Sequence, residues 1–229
     1  MTQLFQPNLI IQFIKENGTS IQVKKDDYIY NFGDHTDSIY LLISGEVFIS
    51  RMQPEGIELV THLLKTHSIF GAVTLFCGPK TFNTVAQARV DCKLIRIEKH
   101  KFEEAVYSHQ DYTKEWMKWV DLERSRHSTK IRDLIMFGKY GALASVLIRL
   151  TNTYGVRKSD GVLIDTKLTN QELAKLIGTS REVVNRYLRE MRNEGILSIE
   201  KKKITILELE ELKRINNCEN CDINVCQIF

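Results

Sequence analysis

The segment TNQELAKLIGTSREVVNRYLREMRNEG (residues 169–195) constrains the fold of this chain most strongly, because it predicts two short helices joined by a tight turn. Thr169 is followed three residues later by Glu172, which is the spacing of a capping box at the start of a helix. Gly178 supplies the positive φ that the turn favours, and Gly195 ends the second helix. The segment therefore predicts a helix-turn-helix unit.

The second of these helices, predicted over about residues 181–193, has two chemically different sides. Arg, Asn and Glu side chains can bond guanine, adenine and cytosine edges in a major groove, and the alternative is a solvated face on a core helix. The capping box, the turn glycine and the helix lengths together favour DNA recognition. The polar side consists of Arg181, Glu182, Asn185, Arg186 and Arg189.

Positive charge is concentrated in the same part of the chain. The net charge is only +3, but residues 181–203 hold seven Arg or Lys residues against four Glu. The segment ILSIEKKKITIL predicts a β-hairpin whose basic tip, Lys201–Lys203, suits contact with phosphates. A local basic surface is what nucleic-acid binding requires, whatever the global charge.

The first half of the chain predicts a β-rich domain. Between about Gly18 and Ile97, short apolar segments alternate with turn signals such as Pro54-Glu-Gly56 and Gly78-Pro79. Several short strands at this spacing are typical of a sandwich or roll. A short helix is expected before them, over residues 8–15.

Residues 99–137 contain no Pro or Gly, and they predict a short helix (99–108) followed by a long one (110–137). An apolar stripe on a long exposed helix favours a coiled-coil-like dimer seam, although a polar segment interrupts this one. Beyond a break at residues 138–141, the sequence predicts a helix over 142–154 and then a loop around Asp160-Gly161. The apolar residues of the stripe are Trp116, Trp119, Val120, Ile131, Leu134 and Ile135.

A β-roll, a long helix and a winged helix-turn-helix in this order resemble the cyclic-AMP-receptor/FNR superfamily of bacterial transcription factors over nearly the whole chain. The landmarks are SGEV (44–47), FGAVTLF (70–76) and TSREVVNR (179–186). The resemblance implies an α+β fold with an N-terminal β-roll like a cyclic-nucleotide-binding domain, a long dimerisation helix and a C-terminal winged helix-turn-helix. The expected domains are 1–108 (β-roll), 109–138 (dimerisation helix), 139–217 (winged helix-turn-helix) and 218–229 (cysteine tail).

The resemblance also implies the partners. Such regulators bind palindromic double-stranded DNA as homodimers, here with TGTGA-like half-sites, and RNA polymerase is a further expected partner. Arg181 and Arg186 would contact guanines and Glu182 would accept a hydrogen bond from a cytosine. Asn185 lies at a position that varies within the superfamily. The expected DNA-binding residues are Thr179, Ser180, Arg181, Glu182, Asn185 and Arg186.

The five cysteines fall into two groups. Cys77 and Cys92 lie in apolar, strand-like segments and are predicted to be buried structural thiols. Cys218, Cys221 and Cys226 form a Cys-x2-Cys-x4-Cys run whose thiolates can close around one soft metal centre. Zinc, a redox disulfide and an incidental cluster are the alternatives, although structural zinc needs four ligands and no histidine follows the long helix.

FNR-type regulators of Gram-positive bacteria, which the chain resembles most closely, indicate what the tail holds. The resemblance implies an oxygen-sensing 4Fe–4S cluster bound by the three tail cysteines and by a fourth ligand that is not cysteine. The end of the long helix offers Asp133, which the resemblance and this location favour, although an Asp beside an Arg on a helix is usually only solvated. His127, Glu219 or water are alternatives, and Asp222 is constrained inside the cysteine loop.

The β-roll differs from the cyclic-nucleotide-binding members of the superfamily. Their pocket resembles a Gly-Glu turn followed by an Arg-Ser pair, whereas here Ala72 stands where the Glu would be and Lys80-Thr81 is the nearest match to the pair. A buried phosphate favours a bidentate Arg and backbone donors. We therefore expect no cyclic-nucleotide binding and a structural, dimer-supporting role for the β-roll.

Other functional classes find no support in the sequence. It contains no Gly-rich phosphate loop, no clustered His with carboxylate and no nucleophile motif, so we expect no enzymatic activity. The absence of a long apolar run and of a signal-peptide pattern predicts a cytoplasmic protein with no membrane partner. The alternative function is a regulator of the same kind without a cluster, controlled by a small effector or by thiol redox state.

Overall fold

A computed structural model of the chain describes residues 4–52, 58–76, 78 and 80–228. The predictions made for Cys77, for the Pro54-Glu-Gly56 turn and for Pro79 concern residues outside these ranges. The chain divides into two compact units, Phe5–Asp121 and Leu122–Ile228.

The N-terminal unit is built from short strands flanked by helices, and helix α3 continues from it into the C-terminal unit. In chain order the elements are α1 (Asn8–Asn17), β1 (Thr19–Val23), β2 (Tyr28–Tyr30), β3 (Ser38–Ser44), β4 (Val47–Met52), β5 (Glu58–Leu64), β6 (Ile69–Gly71), β7 (Val85–Ala88), β8 (Cys92–Glu98), α2 (Lys99–Ser108) and α3 (Gln110–Met136). The predicted first helix, β-rich stretch and two following helices are confirmed.

Two antiparallel four-stranded sheets form the β-roll, with strand orders β1-β8-β3-β6 and β2-β7-β4-β5. In β3 five consecutive residues are buried, so this central strand is covered on both faces. The hydrophobic core joins residues of both sheets and includes the fully buried Ile10, Ile14 and Phe102 of the flanking helices. Apolar burial of this extent is the main contribution to the stability of the unit.

Trp116 and Trp119 of α3 belong to this core, which corrects their assignment to a dimer seam. They are 6% and 9% exposed, and their rings stack with centroids 4.7 Å apart. Trp116 also meets the Phe102 ring edge-on at 5.0 Å. The helical period alone cannot tell whether an apolar stripe faces its own domain or a second chain, and the large indole areas are satisfied within the β-roll unit.

The other apolar residues of the predicted stripe remain accessible. Val120, Ile131 and Ile135 are 42%, 55% and 74% exposed, and Leu134 is half-buried. Met117 and Met136 of the same helix are also exposed. The apolar surface of α3 is therefore narrower than predicted, and it consists of aliphatic side chains.

The C-terminal unit contains helices around a third antiparallel sheet, of strand order β11-β12-β10-β9. Its elements are α4 (Gly138–Tyr154), β9 (Gly155–Lys158), β10 (Gly161–Ile164), α5 (Asn170–Ile177), α6 (Arg181–Asn193), β11 (Leu197–Glu200), β12 (Lys203–Ile206) and α7 (Leu209–Ile215). The predicted helix-turn-helix and the hairpin after it are confirmed, with α5 and α6 as its helices. Helix α7 was not predicted.

The loop expected around Asp160-Gly161 is instead the hairpin β9–β10, which joins the sheet of the wing. A Cβ atom at Gly161 would lie 2.1 Å from the backbone oxygen of Ile206 in β12, so the close approach of the strands requires glycine. The segment GVRKSDGVLI is too short to reveal its strands by alternation, because its pairing partner lies about 40 residues further along the chain.

Candidate metal centre and nucleic-acid interface

The cysteine tail is a folded segment with its own turns. The Cys218 N–H donates to the Lys213 carbonyl in α7 at 2.8 Å, so the tail continues directly from that helix. The Cys226 N–H donates to the Asp222 carbonyl at 2.9 Å, and the Asp222 carboxylate accepts from the Asn224 N–H at 2.7 Å. These bonds close a turn between the second and third cysteines.

Helix α4 binds the end of this tail. The Asn152 side chain donates to the Cys226 carbonyl at 2.9 Å, and the Ile228 N–H donates to the Thr153 hydroxyl at 3.2 Å. The thiol-bearing Cys226 and the Ile228 side chain are both buried. The sequence composition of the tail gave no sign of this docking.

Asp133 lies buried on α3 and is 3% exposed, so the alternative of a merely solvated aspartate beside Arg132 is excluded. Its Oδ1 accepts from Arg132 Nη2 at 2.6 Å, and its Oδ2 accepts from Arg149 Nη2 at 3.0 Å. The Ser145 hydroxyl also donates to Oδ2. The two guanidinium partners compensate the charge of this buried carboxylate.

The tail thiols influence one another electrostatically, and Asp133 acts on Cys221 among them. The Cys221 and Cys226 thiols hydrogen-bond each other, and this bond, with the positive charge of Arg149, lowers the pKa of Cys221 although burial and Asp133 raise it. The same bond raises the pKa of Cys226, together with burial and the charges of Cys221 and Cys218. The Cys221 thiol thus lies within the influence of Cys226, Arg149 and Asp133, and the structure favours a thiolate at Cys221.

The alternative fourth ligands are placed differently. Glu219 is paired with Arg132 Nη1 at 2.5 Å, and its side chain is 61% exposed. Asp222 uses its carboxylate within the tail turn, where it accepts two hydrogen bonds from Asn224. His127 is exposed on α3. Among these candidates Asp133 alone is buried.

The helix-turn-helix is built as its sequence predicts. The Thr169 hydroxyl accepts from the Glu172 N–H at 3.1 Å, and the Glu172 carboxylate accepts from the Thr169 N–H at 2.6 Å, which completes the capping box. Gly178 has φ +62° in the turn. The Ser180 hydroxyl caps α6 by accepting from the Val183 N–H at 3.4 Å. Ser180 therefore has a structural role at this position.

Helix α6 presents its polar side to solvent. Arg181, Glu182 and Arg186 are exposed, and Thr179 is half-buried. Hydrogen bonds from the helix N-terminus and from Ser180 lower the pKa of Glu182, which stays an ionised acceptor. These donors and the acceptor are accessible to solvent, and their contact with base edges stays a prediction.

Two of the predicted DNA-contacting residues are already engaged within the unit. The Asn185 side-chain oxygen accepts from Asn170 of α5, which ties the two helices of the motif together. The Arg186 guanidinium lies over the Tyr187 ring at 5.1 Å, and Tyr140 of α4 meets that ring edge-on at 5.1 Å. The Tyr187 ring thus packs against Arg186 and is itself packed by Tyr140, and no pattern in the sequence indicates this contact.

The wing has a narrower basic tip than predicted. Lys201 and Lys202 are exposed and both have positive φ, as a two-residue hairpin turn requires. Lys203 begins β12 and pairs with Asp165 at 2.5 Å. The exposed basic tip therefore consists of Lys201 and Lys202, and their contact with phosphates stays a prediction.

Aromatic rings fill one region of the β-roll core. Ala72 is buried, Lys80 and Thr81 are exposed, and Phe82 stacks on Tyr30 with ring centroids 3.8 Å apart. Burial raises the pKa of Tyr30 to about 12, so its hydroxyl stays protonated. This packing is consistent with the structural role expected for the β-roll. That the β-roll binds no cyclic nucleotide stays a prediction.

Comparison with known proteins shows that two parts of the chain match two domain families. Residues 20–109 match the cyclic nucleotide-binding domain, and residues 141–215 match the Crp-like helix-turn-helix domain. Among the described residues, no helix combines the length and apolar character that crossing a membrane would need.

Full-length relatives support the same architecture. The chain is 36% identical over 220 residues to the anaerobic regulatory protein of Bacillus subtilis, covering 96% of this chain and 92% of the relative. It is 32% identical over 177 residues to the global nitrogen regulator of Synechocystis, covering 76% of this chain and 78% of the relative. The structure of FixK2 from Bradyrhizobium japonicum superposes with a TM-score of 0.74 at 16% identity, over 86% of this chain and 96% of that one, which shows the fold.

Proposed function

The chain belongs to the CRP/FNR family of transcription regulators, and on that premise we propose that it is an oxygen-responsive regulator of anaerobic genes. Its homodimer would bind a palindromic, TGTGA-like site and contact RNA polymerase. Control would come from a 4Fe–4S cluster bound by Cys218, Cys221, Cys226 and Asp133. The printed name of the Bacillus subtilis relative, an anaerobic regulatory protein, supports the anaerobic part of this proposal.

One observation carries the proposal: the tail with three cysteines is bound to α4, and its Cys221 thiol lies within the electrostatic influence of the buried Asp133. Three thiolates and one oxygen ligand form a donor set suited to an iron–sulfur cluster with one non-cysteine ligand. The positive charge of Arg149 favours thiolates and suits an anionic centre, and the burial of Cys226 limits the access of solvent to that centre. The residues present therefore fit the group.

When bound, such a cluster supplies a centre that oxygen destroys. The protein's part is to hold the ligands and to couple them to the DNA-binding helices. After α3 ends, the Lys139 ammonium donates to the Ile177 carbonyl at the end of α5 (3.0 Å), and the Tyr140 hydroxyl donates to Glu194 at the end of α6 (3.4 Å). A change at the Asp133 end of α3 can therefore reach both helices of the motif.

The experiment is a paired ligand test. Protein purified without oxygen is assayed for iron, sulfide and visible absorption, for the natural chain and for Cys218→Ser. Cys92→Ser is the matched control, because Cys92 lies in β8 of the N-terminal unit. We expect four irons per chain in the natural protein and the control, and loss of iron in Cys218→Ser. Equal, negligible iron in all three contradicts the cluster.

The hydrogen bond between the Cys221 and Cys226 thiols favours one second candidate, a thiol switch without iron. It requires that these two sulfurs form a disulfide on oxidation and that DNA binding follows. If iron-free protein changes its DNA affinity reversibly with a dithiol reductant, and Cys221→Ser abolishes that change, this candidate replaces the cluster.

A further inference from the structure

Arg149 of α4 is a buried cation, 4% exposed, and it uses its full set of five N–H donors. The guanidinium contacts three side chains and two backbone carbonyls. Its partners are Ser145 Oγ (Nε, 3.3 Å), the Val225 and Gln227 carbonyls (Nη1, 3.2 and 3.4 Å), and Thr129 Oγ1 and Asp133 Oδ2 (Nη2, both 3.0 Å). A buried charge is tolerated when it is paired and fully hydrogen-bonded in this way.

These five partners come from three separate segments. Thr129 and Asp133 belong to α3, Ser145 belongs to α4, and Val225 and Gln227 flank the third tail cysteine. One planar guanidinium therefore joins the helix that carries Asp133 to the tail that carries the thiols. A lysine ammonium in the same place has its three donors on one atom and could not span these directions.

A second guanidinium joins the same helix to the other end of the tail. Arg132 donates to Asp133 Oδ1 at 2.6 and 2.9 Å, and it pairs with Glu219 between the first two cysteines at 2.5 Å. Glu219 is largely exposed, so water screens this pair and weakens it. The buried contacts of Arg149 are therefore the stronger of the two connections.

We propose that Arg149 is a positioning residue that fixes the cysteine tail and Asp133 in one arrangement, so that four ligands on two distant segments present a single site. The inference rests on the proposed function for the identity of the bound group. The docking of the cysteine tail on α4 is a property of the polypeptide and does not depend on the proposed function. Arg149 is not a ligand and acts through the residues that it holds.

Docking of the tail is tested on protein stripped of metal by a chelator. Amide hydrogen exchange is measured at Ile228, whose N–H bonds to Thr153 of α4, with Leu147 in the middle of α4 as the internal reference for global opening. In Arg149→Lys we expect exchange at Ile228 to rise relative to Leu147 by about tenfold or more, as loss of a hydrogen bond from a charged donor predicts. Arg214→Lys, which changes an exposed arginine paired with Glu211, is the matched control and should leave the ratio unchanged.

A gentler variant covers the case in which Arg149→Lys loosens the whole unit and both amides exchange faster together. Thr129→Val removes one neutral partner of Arg149 and keeps the charge pair with Asp133. It should raise exchange at Ile228 severalfold while Leu147 is unaffected. If neither variant changes the ratio of the two rates, Arg149 does not hold the tail and the proposal is overturned.

A double-mutant cycle separates positioning from a simple effect of charge. Asp133→Asn should loosen the tail in the natural chain but add nothing in the Arg149→Lys background, because Arg149 carries the connection. Additive effects of the two substitutions would show that Asp133 and the tail are held independently, which overturns the proposal.

A final arm links the docking to the bound group. After anaerobic loading with iron and sulfide, transfer of iron to a ferrous chelator should be about 10- to 100-fold faster in Arg149→Lys than in Arg214→Lys, the usual effect of losing an outer-sphere partner. Equal rates overturn the role of Arg149 toward the cluster. Failure of the natural chain to take up iron contradicts the proposed function, while the exchange result still decides the docking.

Discussion

At the scale of single residues, the proposed site depends on the contact between Arg149 Nη2 and Asp133 Oδ2, which lie 3.0 Å apart. Spacing in the tail indicated a metal centre, and the resemblance pointed to Asp133. Nothing local indicated that Asp133 is buried or that Arg149 binds it, because the two lie 16 residues apart and meet only through the packing of α3 on α4. The one signal in the sequence was an arginine within a mostly apolar segment, LASVLIRLT.

The thiols should differ in their reactivity with pH. Burial raises the pKa of Cys92, so this residue stays a protonated thiol at pH values where an ordinary cysteine ionises. The hydrogen bond from Cys226 and the charge of Arg149 lower the pKa of Cys221, so its thiolate persists to lower pH. In chelator-treated, reduced protein, iodoacetamide should label Cys221 at about pH 7 and leave Cys92 unlabelled even at about pH 8, because the thiolate is the nucleophile. Peptide mass spectrometry measures both. Faster labelling of Cys92 would contradict the assigned environments.

Base recognition can be tested at Arg181, which is exposed at the start of α6. Arg181→Ala should cost about 1–3 kcal/mol on the palindrome and relax specificity at one base pair, as loss of a bidentate base contact predicts. Lys202→Ala at the wing tip is the comparison, and it should weaken binding uniformly and lower the salt slope by about one. A uniform loss with Arg181→Ala would make it a phosphate contact.

At the scale of elements, the sequence predicted correctly those helices whose ends are fixed by residues next to them in the chain. The capping box and Gly178 set the bounds of α5 and α6, and both are satisfied within a few residues. The hairpin β9–β10 depends instead on pairing with β12, and the burial of Trp116 depends on the β-roll. Patterns that are completed by distant partners could not be predicted from the sequence alone.

The capping box makes a measurable contribution to the C-terminal unit. Thr169→Ala removes the acceptor for the Glu172 N–H and should lower the free energy of unfolding by about 1 kcal/mol. Thr169→Ser keeps the hydroxyl and should stay within a few tenths of the natural value. Urea denaturation followed by circular dichroism measures both. Equal losses in the two variants would show that the hydroxyl contributes nothing.

Helix α3 is expected to form the dimer seam through its exposed aliphatic residues. Ile131→Glu combined with Ile135→Glu places charges on that surface and should shift the protein toward monomer, because like charges and lost apolar area both oppose association. Tyr107→Glu changes an 83%-exposed residue of α2 and is the matched control. Sedimentation velocity distinguishes the states. A stable dimer in the doubly substituted protein would place the interface elsewhere.

At the scale of the whole molecule, the order of a β-roll, a long helix and a winged helix-turn-helix was predicted from hydrophobic patterns and confirmed. In the proposed mechanism, one series of contacts within the C-terminal unit connects the cysteine tail to the DNA-binding helices. It runs from the cysteines through Arg149 and Asp133 to α3, and from the start of α4 to the ends of α5 and α6. Loss of the bound group should therefore change the position of α6 and weaken DNA binding.

The most direct test is the dissociation constant for a TGTGA-type palindrome, measured on one anaerobic preparation before and after exposure to air. The natural protein should lose affinity by about 5- to 150-fold on exposure, the usual range of coupling between two sites, as its iron is released. Cys218→Ser should bind weakly in both conditions. Equally tight binding before and after air, by a natural protein that holds no iron, would contradict oxygen control through the cysteine tail.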